Sequence, residues 1–123
     1  MKLHYFHGRS PLRHLVLSRE DWRIELHVKP VGDNIWALVA LSGARDSQPQ
    51  RRKCQGPYHS AGQAEAALRG VAGSLVGDAF EPRPGAHAVW SVQAQREART
   101  IRQERAESAG DYAFDPDQHE PLF

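Results

Sequence analysis

Four arginines recur every third residue late in the chain: Arg96, Arg99, Arg102 and Arg105. At about 100° per residue they spread over roughly half of a helical circumference, while Glu97, Glu104 and Glu107 fall in a separate, narrower arc. No Arg–Glu pair stands three or four residues apart, so the usual ion pairs along a helix are missing. Guanidinium groups without such partners can grip phosphates or carboxylates bidentately; the same pattern also describes a solvated helix face. A second basic run, Arg51-Arg52-Lys53, adjoins a loop, and Arg9 and Arg13 flank an early turn. With Arg23, His27 and Lys29 on an open sheet face, these groups would offer single-stranded nucleic acid charge for its backbone and aromatic faces for its bases. Aromatic residues are few, however, and Trp22 and Trp36 are expected in the core.

Nucleophilic and metal chemistry have thinner support. Cys54 and His59 flank Gly56-Pro57, and a turn there would bring thiol and imidazole together, as an activated cysteine requires. The alternative is a buried, inert thiol. His4 and His7 are three apart on an expected strand, which puts them on opposite faces. His14, His27, His59 and His87 are isolated, and Asp115, Asp117, His119 and Glu120 read equally well as a solvated acidic stretch. No phosphate-cradling glycine loop, nucleophile elbow or paired-histidine protease motif occurs, so no catalytic residue, metal or cofactor is assigned.

The elements that would position these groups begin with Trp22-Arg23-Ile24-Glu25-Leu26-His27-Val28-Lys29. Apolar and polar residues alternate throughout, as in a strand with one buried face, which places Arg23, Glu25, His27 and Lys29 toward water or a partner. Pro30 to Asn34 carries turn chemistry. The continuous apolar run Ile35 to Leu41 is a second strand, antiparallel to the first. Two weaker strands precede these, Leu3 to His7 and Leu12 to Ser18, and the short spacings specify an antiparallel meander. Residues 43–50 read as a loop, and Arg51 to Tyr58 as a short edge strand ended by Gly56-Pro57.

Ser60 is a suitable N-cap for a helix whose stripe runs Ala61, Ala64, Leu68, Val71, Ala72 and Leu75. Gly70 and Gly73 each cost about 1 kcal/mol relative to alanine, so this helix depends on docking to the sheet. Glu81 to Gly85 reads as an exposed connector, Ala86 to Gln93 as a strand, and Ala94 to Ser108 as a helix with a narrow stripe of Ala94, Ala98 and Ile101 below Trp90. Residues 109–123 read as an acidic, flexible tail. The phrase Gly56-Pro57-Tyr58, Ser60 and the alanine-rich helix after it resembles the strand-to-helix entry of peptidoglycan-binding SPOR domains. It covers about a tenth of the chain, implies a recurrent way of entering a helix, and carries over no site residue.

Composition bounds the function class. The chain has 123 residues, of which 40% are apolar, and a net charge of +1. Ten Lys and Arg against five Asp and Glu in residues 1–60 give +5, and six against ten in residues 61–123 give −4. Glu107, Asp111, Asp115, Asp117 and Glu120 all follow the last arginine; a modestly basic body of this kind can bind polyanions weakly, or can fold its acidic tail over its own basic face. One cysteine cannot form an internal disulfide, and no apolar run approaches the ~18–20 residues that span a bilayer. Neither a signal peptide nor a membrane anchor is read at the start of the chain, which fits a cytoplasmic protein.

The expectation is therefore a single α+β domain over residues 1–108: a four- to five-stranded antiparallel meander with an amphipathic helix on one face. A second, Arg-rich helix would cover an edge or project to make a homodimer. The expected function is a small, soluble, non-catalytic binding or interaction module, with a protein partner or a second copy as its target. Single-stranded DNA or RNA binding through Arg51, Arg52, Lys53, Arg96, Arg99, Arg102 and Arg105 is the alternative.

Overall fold

The computed structural model describes residues 12–83 and 86–107, with side chains described up to residue 104. The expected strand at Leu3 to His7 and the tail at 109–123 lie outside the described residues. Strands β1 (His14–Arg19), β2 (Trp22–Gly32), β3 (Ile35–Ala44) and β4 (Arg51–Tyr58) form the expected antiparallel meander. Helix α1 (Ala61–Gly77) follows, then a two-residue strand β5 (Glu81–Pro82) and helix α2 (Ser91–Glu107). The sheet order is β4-β3-β2-β1-β5, so β4 is an edge strand among the described residues.

The β2–β3 hairpin is tighter than its composition suggests. Strand β2 runs on through Pro30 to Gly32, leaving Asp33 and Asn34 as the turn, and Asn34 takes the left-handed φ of 56° that asparagine tolerates. Pro30 is accommodated because β1 pairs with β2 only up to His14↔His27, so no ladder bond is asked of the missing N–H. A register shift between Pro30 and Gly32 absorbs the extra residue.

Leu15, Leu17, Ile24, Leu26, Val28, Leu38 and Ala40 present one face of the sheet to Ala64, Leu68, Ala72 and Leu75 of α1. The helix begins where expected: Ser60 Oγ accepts the Gln63 N–H at 3.1 Å. Glu65, beside the apolar stripe, is buried, ion-paired to Arg13 and 3.8 Å from Arg69.

Three expectations are corrected. The second helix neither covers an edge nor projects; α2 lies on the opposite face of the sheet, where Trp90, Ala94, Ala98 and Ile101 pack on Val31, Ala37, Val39 and Leu41. The sheet is thus covered on both sides, a three-layer arrangement. Residues 86–93 do not form a strand: Val89 and Val92 are each 60% exposed, only Trp90 turns inward, and the helix starts at Ser91. Glu81-Pro82 is not a free connector but pairs with Ser18 and Leu17 at the β1 edge, a position where proline's missing donor is harmless.

Candidate functional site

Because α2 covers the second face, Arg23, Glu25 and His27 are not at an open surface. Glu25 is fully buried and His27 nearly so. Glu25 Oε2 accepts Arg23 Nε and the Val89 N–H, each at 2.8 Å, and Glu25 Oε1 accepts His27 Nε2 at 2.9 Å and the Trp90 N–H at 3.2 Å. A carboxylate only accepts, so His27 carries its proton on Nε2 here. Arg23 also donates to the His87 carbonyl at 2.7 Å, and its guanidinium lies 5.8 Å from the Trp90 ring centre.

Burial alone would raise the Glu25 carboxyl, but the bonds from His27, the Val89 N–H and Arg23 outweigh it and hold the group below its ordinary value. This network fixes the backbone that leads into α2, and the negative charge suits a helix N-terminus. With its acceptor positions occupied from several directions, Glu25 acts as an anchor for the helix. The same burial removes the basic sheet platform on which base stacking was expected: Arg23 and His27 are covered, and Lys29 Nζ reaches α2 at Gln95.

The anchored helix runs beside the edge strand and leaves a cleft of about 480 Å³ between them. Its lining includes Gln48, Gln50, Arg51 and Arg52 from the β3–β4 loop and β4, and Gln93, Arg96 and Glu97 from α2. The walls are tied at one end: Trp90 Nε1 donates to the Ser47 carbonyl at 3.0 Å, and the Gln93 amide reaches Gln48. Arg52 Nε stands 3.4 Å from Glu97 Oε2 and bridges the two walls. Beyond that bridge a second hollow of about 270 Å³ continues past Lys53, Cys54, Thr100 and Ile101 to Glu104. One groove therefore follows the sheet edge from Gln48 toward the end of α2, interrupted by the Arg52–Glu97 pair.

The two basic clusters, 43 to 45 residues apart in sequence, meet here only in part. Arg51, Arg52 and Arg96 line the main cleft, and Lys53 lines its continuation. Arg99 is exposed and outside both hollows, and Arg102 turns to the other side of α2 to donate to the Pro30 carbonyl at 3.1 Å. The Arg105 side chain lies outside those described. The arginines of α2 thus do not form one face: the period of three walks around a helix that repeats every 3.6 residues. Glu97 finds its arginine partner, Arg52, across the groove and not along the helix.

Cys54 and His59 are not a pair. Strand β4 runs through Gly56-Pro57 to Tyr58, so no turn folds His59 back, and Cys54 packs below α2 among Val39, Ala94 and Ile101. Burial, with the Glu97 carboxylate 4.0 Å from its sulfur, pushes the thiol up to about 12, the reverse of an activated nucleophile. Among the described residues no group of three or more His, Cys, Asp or Glu is placed to hold a metal ion. His14 stacks on His27 with ring centres 6.0 Å apart; burial first, then the His27 charge, holds His14 below its ordinary value.

The sequence reading missed the Arg23–Glu25–His27 network by assigning it to solvent. The signal was present: three successive outward positions are a cation, a carboxylate and an imidazole, able to satisfy one another, and a later amphipathic stripe needed somewhere to dock.

A family model described as PA4575-like protein matches residues 1–118, nearly the whole chain. The chain belongs to the PA4575-like protein family. No curated protein and no solved structure matches it. Membership in the PA4575-like family assigns no ligand or reaction, so the functional reading comes from the groove. No helix among the described residues is long and apolar enough to cross a membrane.

Proposed function

We propose that this protein is a binding module that takes an extended acidic segment of a partner protein in the groove between β4 and α2. One observation carries the reading: Arg51, Arg52 and Arg96, from segments far apart in sequence, line a single cleft against one carboxylate, Glu97. Arginine suits this task because its planar fork meets a carboxylate with two parallel hydrogen bonds. The edge position of β4 adds backbone donors and acceptors along the groove, the feature that lets an extended peptide join a sheet. Apolar floor is available at Leu41 and Pro49, and farther along at Ile101.

Single-stranded nucleic acid is the second reading, favoured by the same basic cleft. Its support is narrower, because the sheet face that would have stacked bases is covered by α2 and Trp90 is buried. Fluorescence anisotropy of the full chain with a labelled oligoglutamate peptide and with a labelled oligothymidylate separates the two. The acidic-segment reading expects oligoglutamate to bind more tightly, with an affinity that falls as salt rises and drops about tenfold in Arg51→Ala/Arg96→Ala, the loss of roughly 1.4 kcal/mol of charge-assisted bonding. Binding unchanged in that variant overturns the site. Tighter, salt-steep binding of oligothymidylate transfers the site to nucleic acid.

A further inference from the structure

We infer that the β4–α2 groove takes the end of its partner's chain: the free C-terminal carboxylate of an acidic segment, seated in the hollow that Arg51 and Arg96 line. This rests on the reading of the groove as a site for acidic segments, and it names the part of such a segment that the site recognises.

The shape of the groove is the first argument. The main hollow, about 480 Å³, is crossed at one end by the Trp90 Nε1 bond to the Ser47 carbonyl and by the contact between the Gln93 and Gln48 amides. At its other end stands the Arg52–Glu97 pair, past which the smaller hollow runs on to Glu104. An extended segment can therefore enter from the Glu104 side, but at the Gln48 ties it must end or leave the groove. Direction is the second argument. Strand β4 starts at Arg51, in the tied hollow, and runs to Tyr58. A segment that brings its C-terminus to the ties is antiparallel to β4, the pairing used by all the described strands of this sheet. The opposite direction would set a terminal ammonium against guanidinium groups, a repulsive contact.

The chemistry of the tied end completes the case. Arg51 and Arg96 line the main hollow and not its continuation, and no ion pair of either occurs among the described residues. Gln93 stands about one helical turn before Arg96 and donates through its amide to Gln48 Oε1. Its own Oε1 is buried and has no hydrogen-bond partner among the described residues. The hollow thus presents two cationic forks and one unused acceptor. A buried acceptor without a donor is unfavourable, so the site gains from a ligand that brings an N–H. The last residue of a chain brings both groups: carboxylate oxygens for the guanidinium forks and a backbone N–H for Gln93. An internal glutamate has to continue its backbone in both directions, and the ties obstruct one of them.

The test compares two N-terminally labelled oligoglutamates by fluorescence anisotropy with the full chain at low salt. One ends in a free carboxylate; the other ends in an amide and is one glutamate longer, so that both carry the same charge. The expected result is at least about tenfold tighter binding of the free acid. Arg51→Ala/Arg96→Ala should remove that advantage, and Gln93→Leu, which takes away the acceptor and keeps the size of the side chain, should narrow it about fivefold. Equal binding of acid and amide, or tighter binding of the amide, overturns recognition of a chain end and leaves the groove reading intact. Binding of neither peptide overturns both. An advantage of the acid that survives the arginine substitutions overturns its seat in this hollow, and one undiminished in Gln93→Leu overturns the part given to Gln93.

Discussion

The two helices of this protein begin in different ways. Helix α1 is capped by Ser60, three residues before the N–H it satisfies, and is then held by Leu68, Ala72 and Leu75 on an aliphatic sheet face. Helix α2 is held at its start by Glu25, more than sixty residues earlier in the chain, and its own contact stripe is mostly alanine. One helix is anchored by a local cap and apolar burial, the other by a buried ionic network in which Glu25, paired with Arg23 and His27 on its own strand, takes the Val89 and Trp90 N–H groups at the helix start. The difference bears on function, because the weakly apolar helix is the one that forms a wall of the groove.

The largest break in this comparison should come from Glu25→Ala. Removing one partner of a buried charge pair strands Arg23 and the two N–H groups that lead into α2, at a cost of about 4 kcal/mol. Urea denaturation measures the loss, and hydrogen exchange should show α2 amides losing protection before those of α1. Uniform loss across both helices would contradict separate anchoring. Leu68→Ala, fully buried in the α1 core, should cost about 3 kcal/mol through lost burial and a residual cavity, with α1 the first helix to open.

The anchoring of α2 should also depend on pH. The Glu25 carboxyl titrates lower in the folded chain than in the unfolded one, so its stabilisation is complete above the ordinary glutamate range. It is lost as pH falls through the depressed folded value. His14 acts in the same direction at higher pH: its folded value lies below 6.5, so protonation favours the unfolded chain and stability declines as pH falls past that point. Urea midpoints measured from neutral pH downward should fall in both windows. Glu25→Gln should remove the acidic part of the slope, and His14→Gln the part near neutrality.

The smallest effect sharpens the contrast. Ser60→Ala should cost about 1 kcal/mol, the usual worth of a serine N-cap, and should leave the hydrogen exchange of α2 unchanged. Double-mutant combination with Glu25→Ala should be additive, because the two anchors share no partner in the structure.

The same contrast explains what could be read before the fold was known. Strand alternation from Trp22 to Lys29, the Ser60 cap and the Leu68 stripe are local signals, and β2 and α1 follow them. The α+β class, the meander and the Trp90–Ala94–Ala98–Ile101 stripe were legible for the same reason. The location of α2 was not, since nothing within α2 names Glu25 as its anchor; that assignment needs two elements to meet. Residues 86–93 misled because Val89, Trp90 and Val92 imitate a weak strand, whereas only Trp90 is buried. Of the basic residues, Arg51, Arg52, Lys53 and Arg96 were identifiable by type, but their sharing of one groove follows from the packing of α2 beside β4. That packing also sends Arg102 to the opposite side of the helix.

The most direct test of the central claim, that the β4–α2 groove is the binding surface, is chemical-shift mapping on the ¹⁵N-labelled full chain during titration with the oligoglutamate peptide. The account predicts that shifts concentrate in residues 48–54 and, on α2, at Gln93, Arg96 and Glu97, and that α1 amides stay in place. Shifts centred on α1, or spread evenly over the exposed arginines with Arg99 and Arg102 moving as much as Arg96, would contradict it.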